Sequence, residues 1–176
     1  EQYLAEARRL DFFMGPLYEF LRANFEYEDY LVALASDHGY WRSDDDDELF
    51  TESRIRTPFM IAGGGVRQGF TASVTENIDI YPTLLHLSGI APVPGIDGII
   101  PSVLAEGTAS EKKTSYTEAI FPGQCYRAAI SDGKMTLLLE SEGKVNSRGS
   151  VVIGDFKTKV RGASIESQPA FEVQKT

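Results

Sequence analysis

A single cysteine, Cys125, stands among 176 residues. No intrachain disulfide can form, and one thiol says little about redox compartment. Histidine is nearly as scarce, with only His38 and His86. A metal site relying on several imidazoles has little to draw on. No run of 18 apolar residues occurs, so no membrane-spanning helix is expected. Basic residues are outnumbered, 17 Lys and Arg against 26 Asp and Glu, for a formal net charge of -9. That balance repels a phosphate-rich partner, and nucleic-acid binding is not expected. A small anionic ligand is still admissible, because a bound cation inverts the local field. The chain also lacks an initiator methionine and opens at Glu1 inside a helical pattern. It reads as a piece of a longer polypeptide, with any targeting segment upstream. No internal repeat appears, and the one biased tract is the acidic run Asp44-Asp45-Asp46-Asp47-Glu48.

What is present is an ordinary globular mixture, 42% hydrophobic and 24% charged, long enough for one domain with a core. Leu4, Ala7, Leu10, Met14, Leu17, Phe20 and Leu21 recur at helical spacing, with a kink or short break expected at Gly15-Pro16. Tyr30 to Ala35 reads as a buried strand without polar alternation. Pro58 to Ala62 reads as a second, closed by Gly63-Gly64-Gly65. No Lys-Ser/Thr follows those glycines, so they are not a phosphate loop. Asp79 to Leu87 reads as a helix that Gly89 stops, with Asp79 as a cap and Pro82 in the first turn. A short helix is expected over Ile100 to Leu104. After about residue 110 the pattern turns to β-branched and aromatic segments separated by glycine turns. These are Ser115-Ile120, Tyr126-Ser131, Lys134-Glu140 and Ser150-Lys159. They predict a small antiparallel sheet, followed by a polar tail from Gly162.

The first strand delivers Ser36-Asp37-His38-Gly39 onto a glycine turn. A carboxylate and an imidazole, both capable of holding a metal, then sit together at the C-terminal end of a strand, where α/β sheets place ligand sites. The plainer alternative is that Asp37 caps a turn and His38 packs nearby. His86, in Leu84-Leu85-His86-Leu87, reads as a core or rim residue of a helix.

The order of motifs is more specific than any one of them. A helix with Asp11 and Gly15 is followed by Ser36-Asp37-His38-Gly39 and Arg56-Thr57-Pro58-Phe59-Met60-Ile61. Then come Asp79-Ile80-Tyr81-Pro82-Thr83-Leu84 and Ile96-Asp97-Gly98. This succession, from about residue 3 to about residue 140, resembles the C-terminal half of the sulfatase family within the alkaline phosphatase superfamily. Glu118, Tyr126-Arg127-Ala128 and Asp132-Gly133-Lys134 are similar to its closing strands.

The resemblance implies an α/β, alkaline-phosphatase-like sandwich, present in part, with a small C-terminal antiparallel sheet. It divides the chain into an α/β portion over 1–110, a β subdomain over 111–161 and the tail 162–176. It implies a divalent metal held by Asp37 and His38, calcium first, with zinc or manganese as alternatives. Two ligands are too few for a tight calcium site, which takes six to eight oxygens. The remaining acidic ligands and the nucleophile belong to the family's N-terminal half, so that half is the expected partner and this chain alone is expected to be inactive. No catalytic residue is assigned within it. Cys125-Tyr126-Arg127-Ala128-Ala129 does not match the family's Cys-x-Pro/Ala-x-Arg nucleophile motif, and Cys125 reads as structural.

Before the segment matching Phe50-Thr51-Glu52 the family commonly carries a sulfate-contacting Lys or His, where this chain has its acidic run. Arg42 is the candidate for contact with a small anionic ester, against the plainer reading of a solvated surface arginine; Arg54 and Arg56 are the other nearby cations. The acidic run itself reads as a solvated loop face. The function implied is hydrolysis of sulfate esters. Alternatives are a phosphodiesterase or phosphonate monoester hydrolase of the same superfamily, and a non-catalytic homologue serving as a binding module. A periplasmic, secreted or lysosomal location follows from the resemblance alone.

Overall fold

The computed structural model describes residues 2–40, 50–71, 73–91, 93–104, 114–148 and 155–162. The acidic run 44–48 and every tail position beyond 162 lie outside the described residues. The chain divides into two compact units. One gathers Glu1–His38, Thr57–Thr71 and Asn77–Ala109; the other gathers Gly39–Arg56, Ala72–Glu76 and Ser110–Thr176. Among the described residues no helix is long and apolar enough to cross a membrane.

The first unit begins with α1, Gln2–Asn24. The break expected at Gly15-Pro16 does not interrupt it: one helix of 23 residues carries Pro16 in its interior. The ring removes the N–H that the Phe12 carbonyl would have accepted. Met14, Tyr18 and Leu21 are half-buried, at the spacing of one helix face. Leu10, Phe12, Phe13 and Leu17 are exposed within this chain. At the C-terminus Asn24 Nδ2 donates to the Phe20 carbonyl at 2.7 Å.

Strands β1 (Leu31–Ala35) and β2 (Phe59–Gly63) pair antiparallel, with Leu31 opposite Gly63, Ala33 opposite Ile61 and Ala35 opposite Phe59. β2 starts one residue later than the apolar run suggests, because Pro58 has no N–H to give a ladder. The two strands are half-buried rather than buried, since among the described residues each has a single neighbouring strand. Gly63, Gly64 and Gly65 all take positive φ, of 91°, 57° and 71°. Only glycine enters that region three times running without strain. At Gly63 a Cβ would also lie 2.0 Å from the Tyr30 carbonyl oxygen.

A short 3-10 turn, Asn77–Asp79, leads into α3, Ile80–Leu87. The helix ends where the sequence placed it. Gly89, at φ 68°, donates to the His86 carbonyl at 3.0 Å, and Ile90 donates to the Leu85 carbonyl at 2.9 Å. Those two bonds satisfy the last carbonyls in a Schellman motif. Asp79 is not the cap it was expected to be: its side chain makes no capping bond. It is buried, and its Oδ1 accepts the Ile99 N–H at 2.8 Å. Thr83, fully buried, donates to the Asp79 carbonyl at 2.6 Å. Gly98 makes the approach possible, because a Cβ there would sit 2.1 Å from the Ile78 carbonyl oxygen. The helix expected over Ile100–Leu104 is only a turn, closed by Leu104 N–H to the Pro101 carbonyl at 2.9 Å. One such bond fixes too few residues to propagate a helix.

The second unit holds the short helix α2 (Glu52–Ile55) and a four-stranded antiparallel meander. Its strands are β3 (Ser115–Ala119), β4 (Cys125–Ser131), β5 (Met135–Lys144) and β6 (Phe156–Gly162), in that order. The expected sheet is therefore present. Its last strand begins at Phe156, and residues 149–154 lie outside the described set. Phe50, Ala119 and Ala129 form its buried centre, with Ile55 and Leu138 packed against it. Cys125 is a half-buried free thiol at the start of β4, beside an irregularity where the ladder shifts between Cys125 and Arg127. Arg127 pairs across strands with Glu140, Nε to Oε2 at 2.6 Å. The Tyr116 and Tyr126 hydroxyls bond to each other and each lies 3.1 Å from Glu118 Oε2, so one of them donates to the carboxylate and the other donates to its neighbour's oxygen. The bond with Tyr126, then burial, then Glu118 push the Tyr116 hydroxyl above its ordinary range.

The β4–β5 turn depends on Asp132. Its Oδ1 accepts the N–H groups of Lys134 at 2.8 Å and Met135 at 2.7 Å, and Gly133 takes φ 84°. Those donors, Met135 first, lower the Asp132 carboxyl below its ordinary 3.8. A depressed folded-state value means the turn contributes its stability above 3.8 and loses it as pH falls through the folded-state value. Asp132→Ala should therefore flatten the acid limb of the melting-temperature profile while leaving its neutral shape intact. An acid limb that matches wild type would refute the role.

Gly98→Ala tests the packing of the Ile96-Asp97-Gly98 segment. The added methyl cannot fit against the Ile78 carbonyl, so unfolding free energy should fall by about 1–3 kcal/mol. Denaturant titration measures it; an unchanged midpoint would contradict the close approach.

Candidate functional site

Asp37 and His38 follow β1 after a single residue, Ser36, so the strand end fixes where their backbone emerges. The turn is closed locally. Ser36 Oγ donates to the His38 carbonyl at 2.6 Å, and the His38 N–H donates to Asp37 Oδ1 at 2.9 Å. The hydroxyl has one proton and spends it on the His38 carbonyl, so its 3.5 Å contact with Asp37 Oδ1 is weak. The expected turn is thus real, and Asp37 does bind a backbone N–H within it.

That leaves Asp37 Oδ2. It lies 3.8 Å from His38 Nε2, with the two side chains 86% and 75% exposed respectively. Two donors bound to one ion at about 2.0–2.6 Å each can be no more than about 5 Å apart. The pair satisfies that limit with one oxygen and one nitrogen turned outward. It fits part of a ligand set and no more. Among the described residues no third His, Cys, Asp or Glu joins them. When the imidazole is protonated the same two groups form an exposed ion pair, which contributes little; proton and metal compete for the nitrogen.

Just past the pair stands Gly39, whose N–H donates to the Arg54 carbonyl at 2.7 Å. Its glycine was read as freedom to bend. Its φ is not positive, and the reason is space instead: a Cβ there would meet the Ser53 carbonyl oxygen at 2.0 Å. The substrate-contact candidate, Arg42, lies outside the described residues. Arg56, an exposed cation, faces Glu52 at 3.8 Å one helical turn away. His86 is an exposed helix residue whose Nε2 lies 3.2 Å from the Leu104 carbonyl. A carbonyl can only accept, so that nitrogen carries the proton and is engaged.

One contact at the site was not foreseen. Asn77 Nδ2 lies 3.0 Å from the Ser36 carbonyl and 3.0 Å from the Asp37 carbonyl, across 41 and 40 residues of chain. Thr57 Oγ1 donates to Asn77 Oδ1 at 3.4 Å. A lone Asn two positions before the Asp79 motif carries no spacing signal of its own.

Comparison with known proteins bears on what this turn belongs to. A family model described as Sulfatase matches residues 1–90. A choline-sulfatase of Rhizobium meliloti is 30% identical over 138 residues, 75% of this chain and 27% of the relative. Arylsulfatase K of Danio rerio is 31% identical over 108 residues, 57% of this chain and 20% of its own. This chain thus spans about a quarter of the length of these curated relatives. A solved structure of a protein in complex with its substrate D-glucosamine-2-N,6-O-disulfate superposes with a TM-score of 0.63 at 20% identity. The overlap covers 89% of this chain and 33% of that one, and it shows the alkaline-phosphatase-like α/β fold.

Proposed function

The chain belongs to the sulfatase family, and from that premise we propose that it is the segment of a sulfate-ester hydrolase that supplies Asp37 and His38 to a divalent-metal site. The observation that supports the reading is the outward-facing pair Asp37 Oδ2 and His38 Nε2, 3.8 Å apart at the end of β1. The family relatives name sulfate esters as the substrate class. The nucleophile and the other ligands come from polypeptide beyond these 176 residues, since Cys125 sits in a β-strand context without the family's motif. A location outside the cytoplasm goes with this reading.

A bound divalent cation neutralises ester oxygens and stabilises the charge that develops as the S–O bond breaks. The chain's own residues have simpler tasks. Asp37 offers one carboxylate oxygen, while its other oxygen holds the His38 N–H and keeps the turn closed. His38 offers an imidazole nitrogen. Calcium is the favoured metal. The pair supplies few nitrogens, and His86, the other imidazole, is engaged by the Leu104 carbonyl. A two-zinc phosphodiesterase needs further histidines.

Two substitutions test the assignment in the longest natural polypeptide that contains these residues. Asp37→Ala should lower turnover of an aryl sulfate by roughly a hundredfold or more, because even outer partners of metal ligands cost 10–100-fold. Circular dichroism should show an intact fold. Near-normal turnover in the folded variant refutes the ligand role, and no turnover in the wild type favours the binding-module alternative.

His38→Asn separates the metals. An amide oxygen suits a hard cation, so calcium content by mass spectrometry and most of the turnover should survive. Stoichiometric zinc in the wild type, lost together with activity in the variant, would move the assignment to the phosphodiesterase branch.

A further inference from the structure

The side chains of Asp37 and His38 are too exposed for packing to hold them. The backbone that carries them sets where both side chains begin. Two carbonyls of that backbone, those of Ser36 and Asp37, are held by one side chain, Asn77, at 3.0 Å each. An amide nitrogen has two N–H groups, so both bonds form together. The amide cannot be reversed: its oxygen would then face two carbonyl oxygens, and Thr57 Oγ1 would lose the acceptor it has at 3.4 Å. Asn77 is in turn fixed by the 3-10 turn Asn77–Asp79, whose last residue is buried and bound to the Ile99 N–H. The strand end is therefore tied to a rigid element 40 residues away.

We propose that Asn77 is the positioning residue of the metal pair. By gripping the carbonyls of the two peptide bonds that flank Asp37, it sets the backbone so that Asp37 Oδ2 and His38 Nε2 face one ion together. It touches neither metal nor substrate. The proposal rests on the reading of Asp37 and His38 as ligands. It adds a residue whose chemistry alone gives no hint of the role.

The test uses the longest natural polypeptide containing this chain, with calcium as the probe. Asn77→Ala is compared with wild type and with Asp37→Ala by calorimetric titration, turnover and melting in excess chelator. Asn77→Ala should weaken calcium binding by about 10–100-fold, the range for partners that orient metal ligands. Its turnover should recover when calcium is raised to saturation, and its metal-free melting temperature should stay near wild type. Thr57→Val, which keeps the shape and removes the hydroxyl that orients the amide, should shift affinity the same way by less. Should Asn77→Ala not fold, Thr57→Val decides: wild-type calcium affinity in it overturns the proposal. Wild-type affinity in a folded Asn77→Ala does the same. If Asp37→Ala loses calcium while Asn77→Ala keeps it, only the positioning role fails. If Asp37→Ala binds calcium like wild type, the ligand reading fails with it.

Discussion

Everything at this site depends on how a strand stops. β1 ends at Ala35, and the next two carbonyls have no ladder partner to continue into. Backbone carbonyls left unpaired are costly wherever water is thin, so they must be taken by a side chain or by solvent. Here one amide takes both, and the turn that follows is closed by Ser36 and Asp37 themselves. The carboxylate thereby divides its two oxygens, one facing inward to the backbone and one outward. A lone aspartate on a loop would have no such division, and its carboxylate would sample several rotamers.

The same logic links the two later motifs. Asp79 and Gly98 look like independent signals in the sequence, a helix cap and a loop glycine. In space they are one contact. The buried carboxylate accepts the Ile99 N–H, and Gly98 leaves the room for that loop to come close. A capping aspartate would be replaceable by Ser or Thr at little cost. A buried one that holds a distant loop is not, because removing it leaves the carboxylate's part-buried partner N–H at Ile99 without that acceptor.

Local chemistry was legible wherever the cause was local. The left-handed glycine at 89 stopped α3 as expected, and the glycine triplet closed β2. The meander after residue 114 followed from strand-like segments between glycine turns. What failed to show were causes that act across the chain. Nothing in Glu76-Asn77-Ile78 announces a bond to residues 36 and 37. Gly39 was read as a turn glycine, and the reason no side chain fits there, a 2.0 Å approach to the Ser53 carbonyl oxygen, can be known only from the fold. The expected helix over Ile100–Leu104 was too short for its apolar content to outweigh nucleation. β1 and β2 misled in the opposite sense. Their apolar side chains on both faces suggested full burial, and with one neighbouring strand each among the described residues they reach only partial burial.

On the proposed metal reading, supplying two of six to eight ligands has a thermodynamic consequence. Two donors, however well placed, cannot compete with water for a cation that takes six to eight ligands. The binding free energy arises only when the other donors arrive, so the cation stabilises the assembled state and not the separate parts. Preorganisation then matters more than donor strength. Each side of a shared site that is already rigid removes an ordering cost from the joint event. A strand end pinned by an amide and closed by a serine is such a side. The net charge of -9 acts in the same direction, since an acidic surface draws cations toward it at low ionic strength. An anionic ester is attracted only once the cation is in place, so on this reading the metal must bind before the substrate.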